Sequence, residues 1–444
     1  MTNLSPEVVT IGMLAVVVIG LLSGFPIAFV MGTAALLFGF PFFGEQIGKL
    51  VYARIWNLLI NYTLLAVPLF IFMGLVLERS GIAERLYDVL YVWLGAIRGG
   101  LGIVTIIVGT VLAATVGTIS ASVTLLTLVA LPSMVKRGYD KGLATGAICA
   151  GGCLGILIPP SIMLVIYGPM AQISVGKLFF GAFMPGFLLS GLYMAYIAIR
   201  AWLEPRLGPA IPAGEVRISF AKKTSMLLTA LVPPVLLVLA VLGSIFFGVA
   251  PPTEAASVGA FAAVLLTIAY RKFSWKVLSD CSLFTLQTSG LIFLMAVMSF
   301  AFTGVFLGAG GGDVVKGIIM AMPGGKWGAF LMIMFLVFLL GFFLDWIGIV
   351  FIMVPIITPI VPEFGFDPVW FAIMVCVNLQ TSFMTPPFAP AIFLIKGTAD
   401  PSLGVTIADV IRGVIPFVIL VLVGIALCVA FPEIVLWLPG KMVK

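Results

Sequence analysis

Gly155-Ile-Leu-Ile-Pro-Pro160 and Ser382-Phe-Met-Thr-Pro-Pro387 each lie in the middle of a long apolar segment, one in each half of the 444-residue chain. A Pro-Pro pair lacks two backbone donors and clashes with the preceding helical turn, so a helix cannot continue through it. Both segments therefore predict a helix that is interrupted partway along. Pro132 and Pro359 precede the two pairs by the same 27 residues, which indicates that the two regions repeat in register.

An apolar segment with a polar or glycine-containing centre precedes each interrupted helix. The two centres are Thr115-Val-Gly-Thr-Ile-Ser-Ala-Ser122 and Gly341-Phe-Phe-Leu-Asp-Trp-Ile-Gly348. The half-helices on either side, about 15 residues each, are shorter than the roughly 20 residues that a membrane span needs. Each segment therefore predicts a re-entrant helical hairpin that dips into the membrane and returns to the same face.

The composition is that of an integral membrane protein. Hydrophobic residues make up 62% of the chain and charged residues only 9%, which is typical of polytopic membrane proteins. The apolar runs predict an all-α fold with about ten to twelve transmembrane helices, hairpins and interrupted helices included. Histidine is absent, which excludes the HExxH metalloprotease motif and the Ser-His-Asp triad and argues against an enzyme.

The basic residues predict the orientation. If each hairpin enters and leaves on one face, most Lys and Arg fall on a single side, which is cytoplasmic by the positive-inside rule, and both termini lie outside. The first hairpin then opens to the cytoplasm and the second to the outside, as in an inverted-topology repeat. The cytoplasmic set comprises Arg79, Arg85, Arg98, Lys136, Arg137, Lys141, Arg271, Lys272, Lys276, Lys396, Arg412 and the loop 200–223.

The chain divides into two repeats joined by a polar, proline-containing cytoplasmic linker at residues 204–223. Three amphipathic stretches, residues 83–94, 275–286 and 314–322, are too polar to span and predict interfacial helices. The first repeat, 1–203, holds scaffold helices 1–97, the hairpin 98–137 and the broken helix 141–170. The second, 224–444, holds scaffold and arm helices 224–323, the hairpin 324–362, the broken helix 367–397 and a final helix 403–437.

The four breaks are expected to meet at one site, because non-helical backbone is tolerated at membrane depth only where protein or a wet cavity satisfies it. Freed carbonyls there can bind a small cation, and helix N-termini can bind an anion. Asp345 stands out because an ionisable group in an apolar segment usually faces a cavity; a water-exposed cap of the hairpin tip is the alternative. The candidate solute-binding residues are Ser120, Ser122, Ser161, Asp345, Asn378 and Thr381.

Together these motifs resemble the large membrane subunit of tripartite ATP-independent periplasmic (TRAP) transporters, within the ion-coupled elevator transporters. The resemblance rests on segments 155–161 and 378–387, Gly138-Tyr139 and Pro252-Thr-Glu-Ala-Ala256, and it extends over essentially the whole chain. It implies sodium-coupled uptake of a small organic acid across the bacterial inner membrane by an elevator motion. The implied partners are a periplasmic solute-binding protein and a small four-helix membrane subunit, and Na+ is the coupling ion, with no organic cofactor.

The resemblance also implies two sodium sites at the breaks. Two departures from the family pattern bear on them: the first tip reads Val116-Gly-Thr-Ile-Ser-Ala-Ser122 where the family often has Ser-Gly-Ser-Ala, and Ser382 stands where glycine is common. The implied sodium-binding residues are Gly117, Thr118, Gly155, Ile158 and Pro160 at the first site, and Gly341, Ser382, Thr385 and Phe388 at the second.

Three alternatives stay open at this point. A two-component symporter of the dicarboxylate type shares hairpins and broken helices but needs no binding protein. An intramembrane enzyme is disfavoured because histidine is absent and no Ser/Lys or paired-Asp constellation stands out. A channel is disfavoured because inverted repeats are typical of alternating access.

Overall fold

The computed structural model of the protein describes residues 5–211 and 219–443, so part of the linker, including Pro212, lies outside the described residues. Those two ranges are helical and contain no β-strand. The first half contains α1 Pro6–Leu22, α2 Ile27–Phe43, α3 Ile47–Leu59, α4 Ala66–Arg79, α5 Ile82–Leu94, α6 Gly100–Val116, α7 Ile119–Lys136, α8 Lys141–Cys153, α9 Ile162–Ala171 and α10 Val175–Leu203.

The second half repeats the order of a hairpin followed by an interrupted helix. In the first half this order is α6 and α7, then α8 and α9. The helices of the second half are α11 Phe220–Phe246, α12 Pro252–Ala269, α13 Trp275–Gly308, α14 Gly311–Met320, α15 Gly325–Leu340, α16 Trp346–Ile357, α17 Pro368–Met384, α18 Pro390–Thr398, α19 Ile407–Ala430 and α20 Glu433–Leu436. Among them the equivalent pairs are α15 and α16, then α17 and α18.

The all-α integral membrane class is confirmed. Within the described residues, eight helices are long and apolar enough to cross a membrane, or nine if the bent pair α14 and α15 forms one span. Six further apolar helices, among them α6, α9 and α16, have 10 to 17 residues. Apart from α1, each of these helices ends or begins at a break, which accounts for its short length. The total of ten to twelve spans and the inverted relation of the halves stay predictions.

The separate helix expected at residues 275–286 is wrong. This stretch is the first third of α13, a continuous helix of 34 residues that begins where the Ser274 hydroxyl accepts a hydrogen bond from the Val277 amide at 3.1 Å. Asp280 of this stretch lines a cavity. The interfacial location of the stretch stays a prediction. The other two stretches correspond to the separate helices α5 and α14.

Helix α8 is the packing centre of the first interrupted helix. Its residues from Gly142 to Cys153 are all buried, and most of them are glycine, alanine or cysteine. Small residues let membrane helices approach backbone to backbone. A Cβ added at Gly413 of α19 would collide with the backbone of Gly142, and one added at Gly146 would collide with the backbone of Gly413. The α8–α19 contact therefore requires glycine on both helices.

Gly413→Ala is expected to lower the free energy of unfolding by about 1–3 kcal/mol, because the new methyl group meets main chain that cannot rotate away. The measurement is the thermal unfolding midpoint of the purified full-length protein. Gly191→Ala is the matched control, since nothing lies within 4 Å of an added Cβ there and alanine is the better helix former. Equal midpoints for the two variants would contradict the close α8–α19 contact.

Candidate functional site

The first hairpin turns at two residues. Helix α6 ends at Gly117, whose φ of +68° lies in the left-handed region that favours glycine, and the extended Thr118 precedes α7. The tip packs against the first interrupted helix: a Cβ added at Gly155 would lie 3.1 Å from the Thr118 carbonyl oxygen and 3.2 Å from the Ser122 Oγ. Gly117 in turn lies near the Pro160 carbonyl oxygen. Hairpin tip and helix break therefore meet, as the motifs predict.

The interruption between α8 and α9 has the local structure that its prolines dictate. A 3-10 turn at Leu154–Ile156 ends the first segment, and the Pro159-Pro160 peptide bond is cis. Ser161 then adopts an extended conformation before α9, and its hydroxyl donates a hydrogen bond to the Ile156 carbonyl. The break is therefore bridged by a side chain as well as by main chain.

The second hairpin and the second interrupted helix meet in the same way. Helix α15 ends at Leu340, and α16 begins after Asp345. The second interrupted helix leaves helical geometry at Thr385, has a cis Pro386-Pro387 bond and resumes at Pro390. Gly341 lies so close to Ser382 that an added Cβ would collide with the serine side chain.

A cavity of about 680 Å³ is bordered by pieces of all four breaks. The first residues of four helices line it: Ile119 of α7, Ile162 of α9, Trp346 of α16 and Pro390 of α18. Helices α4 and α13 form the opposite wall. Their polar and charged contributions, together with those of the hairpin tips, are Glu78, Arg79, Asp280, Gln287, Thr288, Thr118, Ser120, Thr124 and Asp345.

Three predicted residues line this cavity: Thr118, Ser120 and Asp345. The Ser120 and Asp345 side chains are exposed to it. Asp345 therefore faces a wet cavity at a hairpin tip, which combines the two interpretations that the sequence left open. Its carboxylate stands at the N-terminus of α16, where a negative charge is favourable.

Two other candidates, Asn378 and Thr381, are buried and a third, Thr385, is partly buried; all three form hydrogen bonds within the protein. The Asn378 side-chain amide donates to the Met334 carbonyl at 2.8 Å and so ties α17 to α15. The Thr381 hydroxyl donates to the Asn378 carbonyl at 2.6 Å, and the Thr385 hydroxyl donates to the Thr381 carbonyl at 2.7 Å. None of these three borders the large cavity.

Two predicted serines are buried without a hydrogen-bond partner. Ser122 and Ser382 are 0% and 1% exposed, and the Oγ atom of each has no partner within the described part of the protein. One lies beside the first hairpin tip, and the other beside the second. A buried hydroxyl without a partner is costly, so both oxygens are free to act as ligands.

The remaining predicted ion ligands divide between the two breaks. Ile158 and Pro160 are buried with Gly155 and complete the environment of the first break. Phe388 is 37% exposed and lies on a surface groove with Phe393. In the described residues there is no cluster of three or more His, Cys, Asp or Glu side chains that could hold a metal ion.

Sequence reasoning missed two groups of residues. Gln380 is completely buried and neither atom of its side-chain amide has a partner among the described residues; its position between Leu379 and Thr381 inside an apolar helix was a signal that could have been used. The polar residues of α4 and α13 that line the cavity were missed because they lie far away in sequence from both breaks.

The chain matches a known transporter family over most of its length. Residues 14–434 match the family model of the "Tripartite ATP-independent periplasmic transporter, DctM component". The chain belongs to the DctM family of TRAP transporters. The C4-dicarboxylate TRAP transporter large permease protein DctM of Pseudomonas aeruginosa is 32% identical over 384 residues, which cover 86% of this chain and 87% of that relative.

Two further similarities extend the comparison. The isethionate TRAP transporter permease protein DctMQ of Oleidesulfovibrio alaskensis is 31% identical over 95% of this chain, which spans 65% of that longer relative. The solved structure of the Alcanivorax borkumensis YdaH transporter matches with a TM-score of 0.62 and 13% identity, over 89% of each chain. At that identity the match concerns the fold alone. The DctM family assignment confirms the resemblance found at the Pro-Pro motifs.

Gly341→Ala is expected to lower the thermal unfolding midpoint of this DctM family member, because the methyl group displaces the Ser382 side chain; overpacking of this kind costs about 1–3 kcal/mol. Adding Ser382→Gly removes the colliding atoms and is expected to restore most of the loss. The measurement is a double-mutant cycle on the midpoint. Additive effects of the two substitutions would show that the two breaks do not touch.

Proposed function

We propose that the protein couples the inward movement of Na+ to the uptake of a small organic acid across the bacterial inner membrane. The convergence of four helix N-termini on one cavity carries this proposal. Each N-terminus has a partial positive charge of about half a unit, so α7, α9 and α18 direct a positive field at the solute position. Asp345 offsets the field of the fourth helix, α16. The site thus suits an anion although no arginine belongs to the breaks.

The opposite ends of the broken helices supply the cation sites. Helices α6, α8, α15 and α17 end at the breaks, where their last carbonyl oxygens lack helical partners and carry partial negative charge. Each break adds one buried hydroxyl without a partner, Ser122 at the first and Ser382 at the second. Sodium binds to such oxygen ligands. Ser122 thus serves better as an ion ligand than in the solute-binding role that its position in the sequence suggested.

The cavity wall supports an elevator mechanism. One side of the cavity consists of the hairpins and interrupted helices, and the other consists of α4 and α13. Arg79 lines the cavity, and the positive-inside rule places it on the cytoplasmic side. We therefore assign this arrangement to an inward-open state, and we propose that the hairpins and interrupted helices move along a wall formed by α4 and α13.

Removal of either free hydroxyl is expected to weaken sodium activation. Ser122→Ala and Ser382→Ala should each raise the half-saturating Na+ concentration of uptake about tenfold, the effect of roughly 1.4 kcal/mol in binding free energy. Solute uptake into proteoliposomes, measured against Na+ concentration, tests this expectation. Ser225→Ala on the exposed face of α11 is the matched control. Unchanged sodium activation in both variants would remove these serines from the ion sites.

The proposed partners are a periplasmic solute-binding protein and a small four-helix membrane subunit, as the family description implies. Relatives named for a C4-dicarboxylate and for isethionate suggest labelled succinate and isethionate as the first probes. Uptake into proteoliposomes is expected to require both partners and an inward Na+ gradient. Uptake that is undiminished without the binding protein would identify a two-component symporter instead.

A further inference from the structure

A second cavity, of about 270 Å³, lies at the other end of the same helices. Helix α9 contributes Ile162, its first residue, to the large cavity and Ala171, its last, to this second one. Nine residue steps along an α-helix correspond to about 14 Å. Helix α16 is arranged likewise, with Trp346 at the large cavity and Pro355 at the second. The two cavities therefore lie at opposite ends of α9 and α16, and the large one borders the breaks.

Arg54 of α3 is the one charged residue among the described residues that line this second cavity. Within the described part of the chain its guanidinium group makes no ion pair and no hydrogen bond. Its side chain lies across Gly304 of α13: a Cβ added there would be 2.9 Å from the Arg54 Cγ and 3.4 Å from its Nε. Glycine at position 304 therefore lets the arginine enter the cavity.

A buried hydroxyl and two further polar side chains complete the lining. Thr303 is 8% exposed, and its Oγ1 has no hydrogen-bond partner within the described residues. Gln172 and Thr358 stand at the C-terminal ends of α9 and α16 and also line the cavity. A guanidinium group with hydroxyl and amide donors is the usual set for a carboxylate or sulfonate. The unused Thr303 hydroxyl is the second observation, independent of Arg54, that points to a ligand.

The helix dipoles and Arg54 act in opposite directions on the electrostatic field in the second cavity. Helices α9 and α16 both end at this cavity, and their C-terminal ends carry partial negative charge. Without the guanidinium group these ends would repel an anion. With it, the full positive charge on α3 offsets them and leaves donors that point to an anionic group.

We infer that the second cavity is an anion-binding site, in which Arg54 of α3, outside the hairpins and interrupted helices, holds the carboxylate or sulfonate group of the organic solute on the side from which the solute arrives. The direction of transport in this inference rests on the proposed function. The anion site itself does not, because it is argued only from the side chains and helix ends around the cavity.

The test measures the electrostatic potential of the second cavity with charged thiol reagents, on the full-length chain in lipid nanodiscs. Thr358→Cys provides the reporter thiol, with Gln172→Cys as a second reporter if the first does not fold; the five native cysteines are buried. The probes are the anionic sulfonatoethyl and the cationic trimethylammonioethyl methanethiosulfonates. The ratio of their reaction rates, compared between variants, cancels the intrinsic difference between the reagents.

Arg54→Gln is expected to lower the ratio of the anionic to the cationic rate by about tenfold or more, because a charge in a cleft concentrates counter-ions to that degree. Arg54→Lys should retain most of the ratio. Gly304→Ala should lower it, because the methyl group displaces the arginine. Lys49→Gln removes the same charge from the exposed surface of α3 and should leave the ratio unchanged.

Two further experiments distinguish a soluble anion from a lipid headgroup as the ligand of the second cavity. Millimolar succinate or isethionate is expected to slow modification when Arg54 is present and to have no effect in Arg54→Gln. If anionic lipid in the nanodisc slows modification and these solutes do not, the assignment to an organic solute is wrong. If the rate ratio is the same in Arg54→Gln as in the parent protein, the second cavity is not an anion-binding site. Neither readout needs sodium, a binding protein or transport, so failure here is distinct from failure of the proposed function.

Discussion

Main-chain amides and carbonyls that lose their helical partners inside a bilayer must be satisfied by protein, by water or by a ligand. The two Pro-Pro pairs and the two hairpin tips create such groups at four places. The structure satisfies part of them locally, as when Ser161 donates to the Ile156 carbonyl. Residues beside all four places border one cavity. Transport chemistry follows from this constraint, because helix N-termini favour an anion and helix C-termini favour a cation.

Close packing keeps the breaks together. Gly155 brings the first interrupted helix against Thr118 and Ser122, and Gly341 does the same at Ser382. Behind them, α8 consists largely of small residues that let α19 approach through Gly413. Lipid supplies no hydrophobic force between helices, so such backbone-to-backbone contacts are a main source of cohesion in the membrane. In the proposed mechanism, such contacts let the hairpins and interrupted helices move past α4 and α13 as one rigid unit.

Charge is distributed unevenly between the two walls of the cavities. The hairpins and interrupted helices contribute dipoles, hydroxyls and Asp345, whereas the arginines that line the two cavities, Arg79 and Arg54, belong to α4 and α3. In the proposed transport cycle, a unit that carries cations together with an anionic solute has a smaller net charge than either ligand alone would give it, which lowers the cost of its passage through a low-dielectric environment. In the same proposal Arg79 and Arg54 lie outside that unit.

The sequence by itself determined the class of the protein, its family and the positions of its four breaks, because apolar run length, proline pairs and glycine turns act locally on the backbone. It also placed Asp345 at a hairpin tip. Only the tertiary structure decided which polar side chains have partners: Asn378 and Thr381 form hydrogen bonds within the protein, whereas Ser122, Ser382 and Gln380 have no side-chain hydrogen bond within residues 5–211 and 219–443. The sequence also did not predict which residues of α3, α4 and α13 line the two cavities. The hydrogen-bond partner of a side chain in a membrane protein depends on how helices that are distant in sequence pack together. A pattern read along the sequence does not predict that packing.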